Sequence, residues 1–361
     1  MRFNIPEYIQ KIQPYKPGKP IEELAREHGI QRAVKLASNE NPLGPSPKAI
    51  QAITLALSGL HRYPDGRGHE LVVKLSERFG ITPEHFVLGN GSDDLIGMLT
   101  RALLQPGDEV IIPTPSFLMY DINVQSVGAV TVPIPLKSMT IPLEDILFNV
   151  TPRTRMIFLC NPNNPTGSII SRKNFESFLN KLSADIVVIV DEAYMEFVRD
   201  PDCVESAEYV GSDRPIVTLR TFSKAYGLAG LRIGYGIMPP ELAGLVHRIR
   251  QPFNASLLAQ AGAIGALEDE DFLEKTIRTV HDGLDYLYME FDKIGIRYFP
   301  THANFFLIDV RQNADWVFEA MLKTGVIVRS MSSYGYPTYI RVNTGLPEEN
   351  RLLVQSLKQV L

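Results

Sequence analysis

The loop at 221–232, with the sequence TFSKAYGLAGLR, combines an amine, hydroxyls and a guanidinium. Lys224 is its most informative residue, because lysine forms Schiff bases with carbonyl cofactors and becomes nucleophilic when burial or nearby cations lower its pKa. Ser223 and Arg232 are donors that could hold an anion beside the amine. A lone lysine in a loop is more often a surface residue, so a chemical role needs support from other segments.

A cluster of turn-forming residues, NPNNPTG at 161–167, directly follows the apolar run at 156–159. The run predicts a buried strand and the cluster predicts the turn at its carboxyl end. Ligands bind at that end in open α/β sheets, which makes Asn164 a candidate binding residue. Asparagine also forms turns by bonding its own main chain, and this segment alone favours that simpler interpretation.

A second apolar run leads to a pair of carboxylates in the segment DIVVIVDEAY at 185–194. Five consecutive apolar residues, 186–190, predict a strand covered on both faces, as parallel strands are. Asp191 then lies at the carboxyl end of the strand, where a carboxylate either caps a helix or serves as a buried ionic partner. The segment alone leaves both interpretations open.

These three segments, in this order and with a lysine last, resemble the fold type I aminotransferases, which use pyridoxal 5'-phosphate. The resemblance implies that Lys224 holds the aldehyde carbon of the cofactor. It implies that Asp191 pairs with the protonated pyridine nitrogen and so keeps the ring an electron sink. Asn164 and Tyr194 match residues that bind the phenolic oxygen, and Tyr194 joins Lys224 and Asp191 as a catalytic residue.

The same resemblance places the cofactor phosphate at a loop before a helix and at the lysine loop. Main-chain amides at a helix start suit a dianion, and a guanidinium adds a charged fork. The implied further cofactor contacts are Gly91, Ser92 and Asp93 of GNGSDD, Thr221, Ser223 and Arg232 of the lysine loop, and Phe117, stacked on the ring. Tyr63 matches a tyrosine that reaches the cofactor phosphate of a neighbouring subunit, which implies a homodimer with shared active sites.

Within this superfamily the sequence is most similar to the histidinol-phosphate aminotransferase family, nearly end to end. The similarity rests on KPGKP at 16–20, KLASNENPLGPSP at 35–47, RYPDG at 62–66 and IRVN at 340–343. The implied substrate contacts are Tyr15, Asn164, Arg329 and Arg341. Arg341 matches a carboxylate-binding arginine, and Arg329 matches one that binds the substrate phosphate. Two positions depart from the family pattern: Phe117 replaces a frequent tyrosine, and Asn343 stands where serine or threonine is common.

The resemblance implies transamination between L-histidinol phosphate and 2-oxoglutarate, giving imidazole acetol phosphate and glutamate, in histidine biosynthesis. Glutamate brings two carboxylates and histidinol phosphate brings a phosphate, so two arginines suit a pocket that must bind either anion. The alternatives are an aromatic amino acid aminotransferase, the threonine-phosphate decarboxylase of cobalamin synthesis, and a non-catalytic regulator on the same fold. Intact Lys224 and Asp191 argue against the last of these.

The composition is that of a globular protein long enough for two domains, with 361 residues, 45% of them hydrophobic and 21% charged. The 36 Lys and Arg against 41 Asp and Glu give a net charge of −5, which argues against a nucleic acid partner. Cys160 and Cys203 are expected to be buried, inert thiols, and the seven His show no zinc spacing, so no metal is expected. Without a signal-peptide pattern or an apolar run of ~20 residues, we expect a cytoplasmic protein that contacts no membrane.

Helix and strand patterns alternate through the middle of the chain, which predicts an α/β fold with a mainly parallel sheet covered by helices. The predicted strands there are 109–112, 131–134, 156–160, 186–190, 216–219 and 233–237. From about 280 the pattern becomes α+β, with helices at 281–293, 314–323 and 347–360 and strands at 304–309, 326–328 and 339–343. We expect a large cofactor-binding domain at 41–279 and a small domain at 1–40 and 280–361, to which the resemblance assigns the amino-terminal segment.

Overall fold

The computed structural model of the chain describes residues 4–14 and 33–361. Tyr15 and the segment 16–20, which carry a predicted substrate contact and part of the family resemblance, lie outside the described residues. Within the described ranges, none of the helices has the length and apolar content needed to span a bilayer.

A seven-stranded sheet organises the larger part of the chain. Its spatial order is Phe86–Gly89, Gly234–Ile237, Ile216–Thr221, Val187–Asp191, Thr154–Cys160, Glu109–Thr114 and Val130–Pro135. Adjacent strands are parallel except at Gly234–Ile237, which runs antiparallel to both of its neighbours. The middle strands are buried along nearly their whole length, as apolar runs between two helical layers are. The predicted α/β class with a mainly parallel sheet is confirmed.

Helices cover both faces of this sheet, and alternate side chains of each strand enter opposite cores. Phe158 packs in one core with the helix Ser92–Leu103, whereas Ile157 packs in the other with the helix Arg172–Lys181. The helices of the described residues are Glu7–Lys11, Pro47–Ala56, His69–Phe79, Ser92–Leu103, Met119–Ser126, Leu143–Phe148, Arg172–Lys181, Pro240–Ile249, Leu257–Leu267, Glu270–Ile294, Ala314–Lys323 and Pro347–Val360.

A smaller antiparallel sheet forms in the carboxy-terminal part, in the order Arg329–Ser330, Tyr339–Asn343, Phe305–Asp309 and Arg297–Phe299. The early strand Val34–Lys35 pairs in parallel with Val326–Ile327, so this amino-terminal segment lies beside the carboxy-terminal part. The domain boundaries after residues 40 and 279 stay a prediction. The helix Glu270–Ile294 runs across the second of them.

Several predicted elements need correction. The helix predicted at 281–293 is the carboxyl half of Glu270–Ile294, whose first turn carries the acidic residues that favour a helix start. The strands Phe86–Gly89, Arg297–Phe299 and Arg329–Ser330 were not predicted. All three are short strands at the edges of sheets, where pairing with a partner distant in sequence decides the structure more than local propensity does.

A buried ion pair joins two of the middle strands just behind their carboxyl ends. Arg220 Nε donates to Glu192 Oε2 at 2.8 Å, and Arg220 Nη2 lies 2.7 Å from the same oxygen. The other oxygen of Glu192 accepts from the main-chain nitrogen and the hydroxyl of Ser206, at 2.6 and 2.7 Å. Burial raises the pKa of the Glu192 carboxyl, and Arg220 and Ser206 act against that rise.

We predict that Arg220→Met lowers the free energy of unfolding by about 3–5 kcal/mol, because it leaves a buried carboxylate without its partner. Adding Glu192→Gln to that variant should recover only part of the loss, since it removes one uncompensated charge but leaves Glu196, whose Oε1 lies 3.5 Å from Arg220 Nη1. Urea denaturation followed by circular dichroism measures both effects. The matched control is Lys181→Met, which breaks a pair with Glu144 that is exposed on both sides and should cost about 1 kcal/mol or less. Equal small losses for Arg220→Met and the control would contradict the prediction.

Candidate active site

The register of the middle strands brings the chemically interesting segments to one edge of the sheet. Cys160 pairs with Asp191, and Asp191 pairs with Leu219 on the next strand. Because all three strands are parallel, the turns that carry Asn164 and Lys224 begin beside Asp191. This shared edge, and not closeness in sequence, assembles the site.

Asp191 is a buried carboxylate with 4% of its surface exposed. Its Oδ2 accepts from the Tyr120 hydroxyl at 2.7 Å, and its Oδ1 accepts from the main-chain nitrogen of Ala193 at 3.2 Å. Burial raises the pKa of Asp191 to about 6, although both hydrogen bonds act in the opposite direction. The helical turn that follows, Met195–Phe197, has no side-chain cap, so Asp191 does not cap it, and its role as a buried ionic partner stays a prediction.

The Lys224 amine points into the same cavity and donates to the carbonyl oxygen of Ser38 at 3.2 Å. It lies 5.7 Å from the centre of the Tyr194 ring. Burial, together with the cations Arg341 and Arg232, lowers the pKa of Lys224 to about 8. A substantial fraction of this amine is therefore neutral and nucleophilic close to neutral pH.

A cradle for an anion lies at one end of the cavity, at the start of the helix Ser92–Leu103. Gly91 precedes this helix with a φ of +84°, and a β-carbon on it would lie 2.7 Å from Arg232 Nη2, so only glycine lets the guanidinium close over the turn. Arg232 Nη1 also reaches the Ser223 hydroxyl at 3.5 Å. Arg232 itself has a φ of +57°, a strained conformation for a bulky residue and typical of functional positions.

Asn164, Tyr194 and Arg341 form a polar network on the side of the cavity nearest the small sheet. Arg341 Nη1 donates to Asn164 Oδ1 at 2.6 Å, and its Nη2 donates to the carbonyl oxygen of Ala37 at 2.7 Å. The Tyr194 hydroxyl accepts from Asn39 Nδ2 at 3.0 Å. Burial raises the pKa of Tyr194, so its hydroxyl keeps its proton and can donate to a ligand oxygen.

One cavity gathers most of the predicted cofactor residues. Its wall contains Ser92, Asp93, Phe117, Asn164, Asp191, Tyr194, Thr221, Ser223, Lys224 and Arg232. A phosphate fits the cationic cradle, a carbonyl carbon fits the neutral amine, and a protonated ring nitrogen fits the carboxylate of Asp191. The donor set therefore fits pyridoxal 5'-phosphate. Among the described residues, no cluster of three His, Cys, Asp or Glu could hold a metal ion.

Comparison with known proteins agrees with this arrangement. The family model for aminotransferase class I and II matches residues 31–357. Two similar proteins are named histidinol-phosphate aminotransferase: one from Moorella thermoacetica is 42% identical over 98% of this chain and 92% of its own, and one from Desulfotalea psychrophila is 45% identical over 100% and 96%. The crystal structure of histidinol-phosphate aminotransferase from Sinorhizobium meliloti in complex with pyridoxal-5'-phosphate is 28% identical, with a TM-score of 0.91 over 100% of this chain and 98% of its own.

The chain belongs to the histidinol-phosphate aminotransferases. The family predicted from the sequence and the fold type I architecture are both confirmed. The individual roles of the site residues stay predictions, because the structure gives their positions and not their functions.

Four of the described residues predicted for this aminotransferase lie outside the cavity wall, and one of them, Gly91, directly precedes Ser92 of that wall. Tyr63 is on the surface, with 82% of its area exposed, and stacks on Phe253 with ring centres 4.6 Å apart. Arg341 is buried in the polar network behind the cavity. Arg329 pairs with Arg341 across two antiparallel strands, so both side chains leave the same face of the small sheet. Tyr15 lies outside the described residues.

Sequence reasoning missed Tyr120, Asn39 and the position of Cys160 in the cavity wall. Tyr120 follows the predicted ring-stacking residue Phe117 by only three positions, which is the signal that could have drawn attention to it. Asn39 has a φ of +55°, and its main-chain nitrogen donates to Asn343 Oδ1 at 3.1 Å. Cys160 is buried as expected, but it lines the cavity, and burial raises the pKa of its thiol to about 12.

We predict that Lys224 of the apoprotein reacts with aldehydes with a pH midpoint near 8, because only the neutral amine is nucleophilic. Reductive methylation from about pH 6 to about pH 11, followed by peptide mass spectrometry, gives the rate at each lysine. The exposed Lys173 in the same digest is the internal reference. A midpoint for Lys224 near the ordinary lysine value of about 10.4 would contradict the prediction.

Proposed function

We propose that this chain catalyses transamination between L-histidinol phosphate and 2-oxoglutarate, with pyridoxal 5'-phosphate as cofactor, in histidine biosynthesis. The products are imidazole acetol phosphate and glutamate. The observation that carries the proposal is the joining of Lys224, Asp191 and the cationic cradle in one cavity of a chain that matches histidinol-phosphate aminotransferases over nearly its whole length.

The described residues suggest how the cofactor would be held. Its phosphate would lie on the amides after Gly91 and against Ser223 and Arg232, and its phenolic oxygen would face Asn164 and Tyr194, while Phe117 covers the ring and Asp191 meets the ring nitrogen. When bound, the cofactor supplies an electron-poor ring that stabilises negative charge on the substrate α-carbon.

The chain's own groups then handle the protons. Lys224 takes the proton from the substrate α-carbon, and its pKa of about 8 suits a general base that works near neutral pH. Asp191 holds a proton on the ring nitrogen through a charged hydrogen bond inside a buried site, where such a bond is strong. The hydroxyl of Tyr194, which keeps its proton, stabilises charge on the phenolic oxygen.

Two arginines on one face of the small sheet support the choice of substrate. Arg341 already has its orientation fixed by Asn164 and by the carbonyl of Ala37, which suits a planar carboxylate. Arg329 lies directly across the strand pair from it, so a second anion of the same substrate can be bound nearby. Glutamate presents two carboxylates, whereas histidinol phosphate has no carboxylate and presents a phosphate.

We predict that Arg329→Leu weakens the half-reaction with histidinol phosphate by about 10- to 100-fold in kcat/KM, because a charged hydrogen bond to the phosphate is lost. Phenylalanine, which has no phosphate, should lose much less. Single-turnover changes in cofactor absorbance give both values. Arg297→Leu, on the other edge of the same sheet, is the matched control, and Lys224→Ala should be inactive with every donor.

Comparing histidinol phosphate, phenylalanine and threonine phosphate as substrates also distinguishes the alternative functions. Equal losses for both donors in Arg329→Leu would make Arg329 a structural or carboxylate-binding residue. A wild-type preference for phenylalanine would favour the aromatic aminotransferase. Release of carbon dioxide from threonine phosphate would favour the decarboxylase. A cytoplasmic location stays a prediction.

The chain acts, in this proposal, as a homodimer whose active sites are shared between subunits. Several large apolar side chains between residues 50 and 63, together with Phe253, are exposed in the described chain and are candidates for burial by a partner. They are Ile50, Leu55, Leu57, Leu60, Tyr63 and Phe253. Because Tyr63 is 82% exposed and its ring stacks on Phe253, a second copy docked over it would receive the Tyr63 hydroxyl.

Mixing subunits of two variants tests whether each active site is built from both chains of the dimer. Tyr63→Ala and Lys224→Ala are each expected to be weak or inactive alone, yet a mixed dimer has one site with Lys224 from one chain and Tyr63 from the other. Random reassociation should therefore restore about a quarter of wild-type activity, since half the dimers are mixed and one of their two sites is intact. Mixtures that show only the mean activity of the two parents would mean that each subunit completes its own site.

A further inference from the structure

The carboxylate of Asp191 depends on very few partners. Among the described residues, the only side chain that donates a hydrogen bond to it is Tyr120, at 2.7 Å from Oδ2. The only other donor there is the main-chain nitrogen of Ala193. Asp93 and Glu192 add negative charge nearby and favour the protonated form of Asp191, whereas the Lys224 amine is the nearby cation. Cys160, its neighbour on the next strand, is a neutral thiol.

Tyr120 itself is held rigidly. It is fully buried at the start of the helix Met119–Ser126. Its ring stacks on Phe158 with centres 4.6 Å apart and planes 9° apart, and it meets the edge of Phe117 at 5.5 Å and 85°. One side chain therefore touches both the carboxylate expected at the ring nitrogen and the aromatic ring expected on the cofactor face.

We propose that Tyr120 is a positioning residue, whose hydroxyl keeps Asp191 ionised and oriented toward the ring nitrogen and whose ring supports Phe117. The proposal rests on the role of Asp191 in the proposed function. A buried carboxylate stays charged only when hydrogen bonds replace the lost water, and Tyr120 supplies the only side-chain bond of that kind in the described residues.

The electrostatics agree with this geometry. Burial raises the pKa of Asp191 to about 6, and the Tyr120 bond is the largest effect against that rise. Burial and the Asp191 charge also raise the pKa of Tyr120 well above its usual range, so the hydroxyl remains a donor throughout the working pH range. Loss of this hydroxyl should therefore move the Asp191 titration upward, toward neutral pH.

Tyr120→Phe removes the hydroxyl and keeps the ring, which makes it the direct test. In the apoprotein, carbon-13 NMR of labelled aspartate should show Asp191 titrating at a higher pH than in the wild type. Affinity for pyridoxal 5'-phosphate should fall about tenfold or more, and the acid limb of kcat/KM should move to higher pH. Tyr288→Phe is the matched control, because that partly buried hydroxyl accepts from the main-chain nitrogen of Thr301 and does not line the cavity.

A double-mutant cycle with Asp191→Asn separates positioning from packing. In the Asp191→Asn background, Tyr120→Phe should change cofactor affinity less than twofold, because the charge it supports is gone. The same tenfold loss in both backgrounds would assign Tyr120 to packing alone and overturn the proposal. The proposal would also be overturned if Asp191 titrated at the same pH in Tyr120→Phe as in a wild type that binds cofactor and transaminates. A wild type that neither binds cofactor nor transaminates would instead overturn the proposed function, and the apoprotein titration would still report on Tyr120.

Discussion

The buried ion pair between Arg220 and Glu192 is the interaction on which the geometry of the cavity depends. Glu192 follows Asp191 directly, and Arg220 directly precedes Thr221, so each charged residue adjoins one that lines the cavity. The pair joins the two strand ends outside the cavity, while the neighbouring residues Asp191 and Thr221 line it. A buried pair adds little net stability compared with apolar residues of the same size. We infer that its advantage is directional, since the bonds that Glu192 makes with Arg220 and Ser206 require one relative placement of these segments.

The cavity concentrates unfavourable charge in the apoprotein. Burial moves the pKa of Asp191 from 3.8 up to about 6 and the pKa of Lys224 from 10.5 down to about 8. For the raised carboxyl, its stabilising contribution is complete below pH 3.8 and is lost as pH rises through about 6. For the lowered amine, the contribution is complete above pH 10.5 and is lost as pH falls through about 8. Both groups therefore disfavour the apoprotein between about pH 6 and 8, where a ligand with complementary charge stabilises it most.

A site residue could be located from the sequence when its position follows from the end of its own strand. Asp191 and Asn164 could be located because apolar runs end just before them, and parallel strands bring such ends together. Tyr120 could not, because its contact with Asp191 arises from the packing of a helix over a strand 71 positions away. That Arg329 lies opposite Arg341 could not be predicted either. Their pairing depends on the register of two antiparallel strands, one of which has only two residues. Local pattern predicts the elements, and tertiary packing decides these side-chain neighbours.

The segment 37–39 links the two sheets at the cavity. The carbonyl of Ala37 accepts from Arg341 on the small sheet, and the carbonyl of Ser38 accepts from Lys224 on the large one. Asn39 donates to Tyr194 through its side chain and to Asn343 through its main chain. Consecutive residues of one segment thus contact both the arginine that suits the substrate carboxylate and the amine that suits the cofactor. Because backbone carbonyls make two of these bonds, the relative placement of the two groups depends on the path of the main chain there and is insensitive to the side chains of 37 and 38.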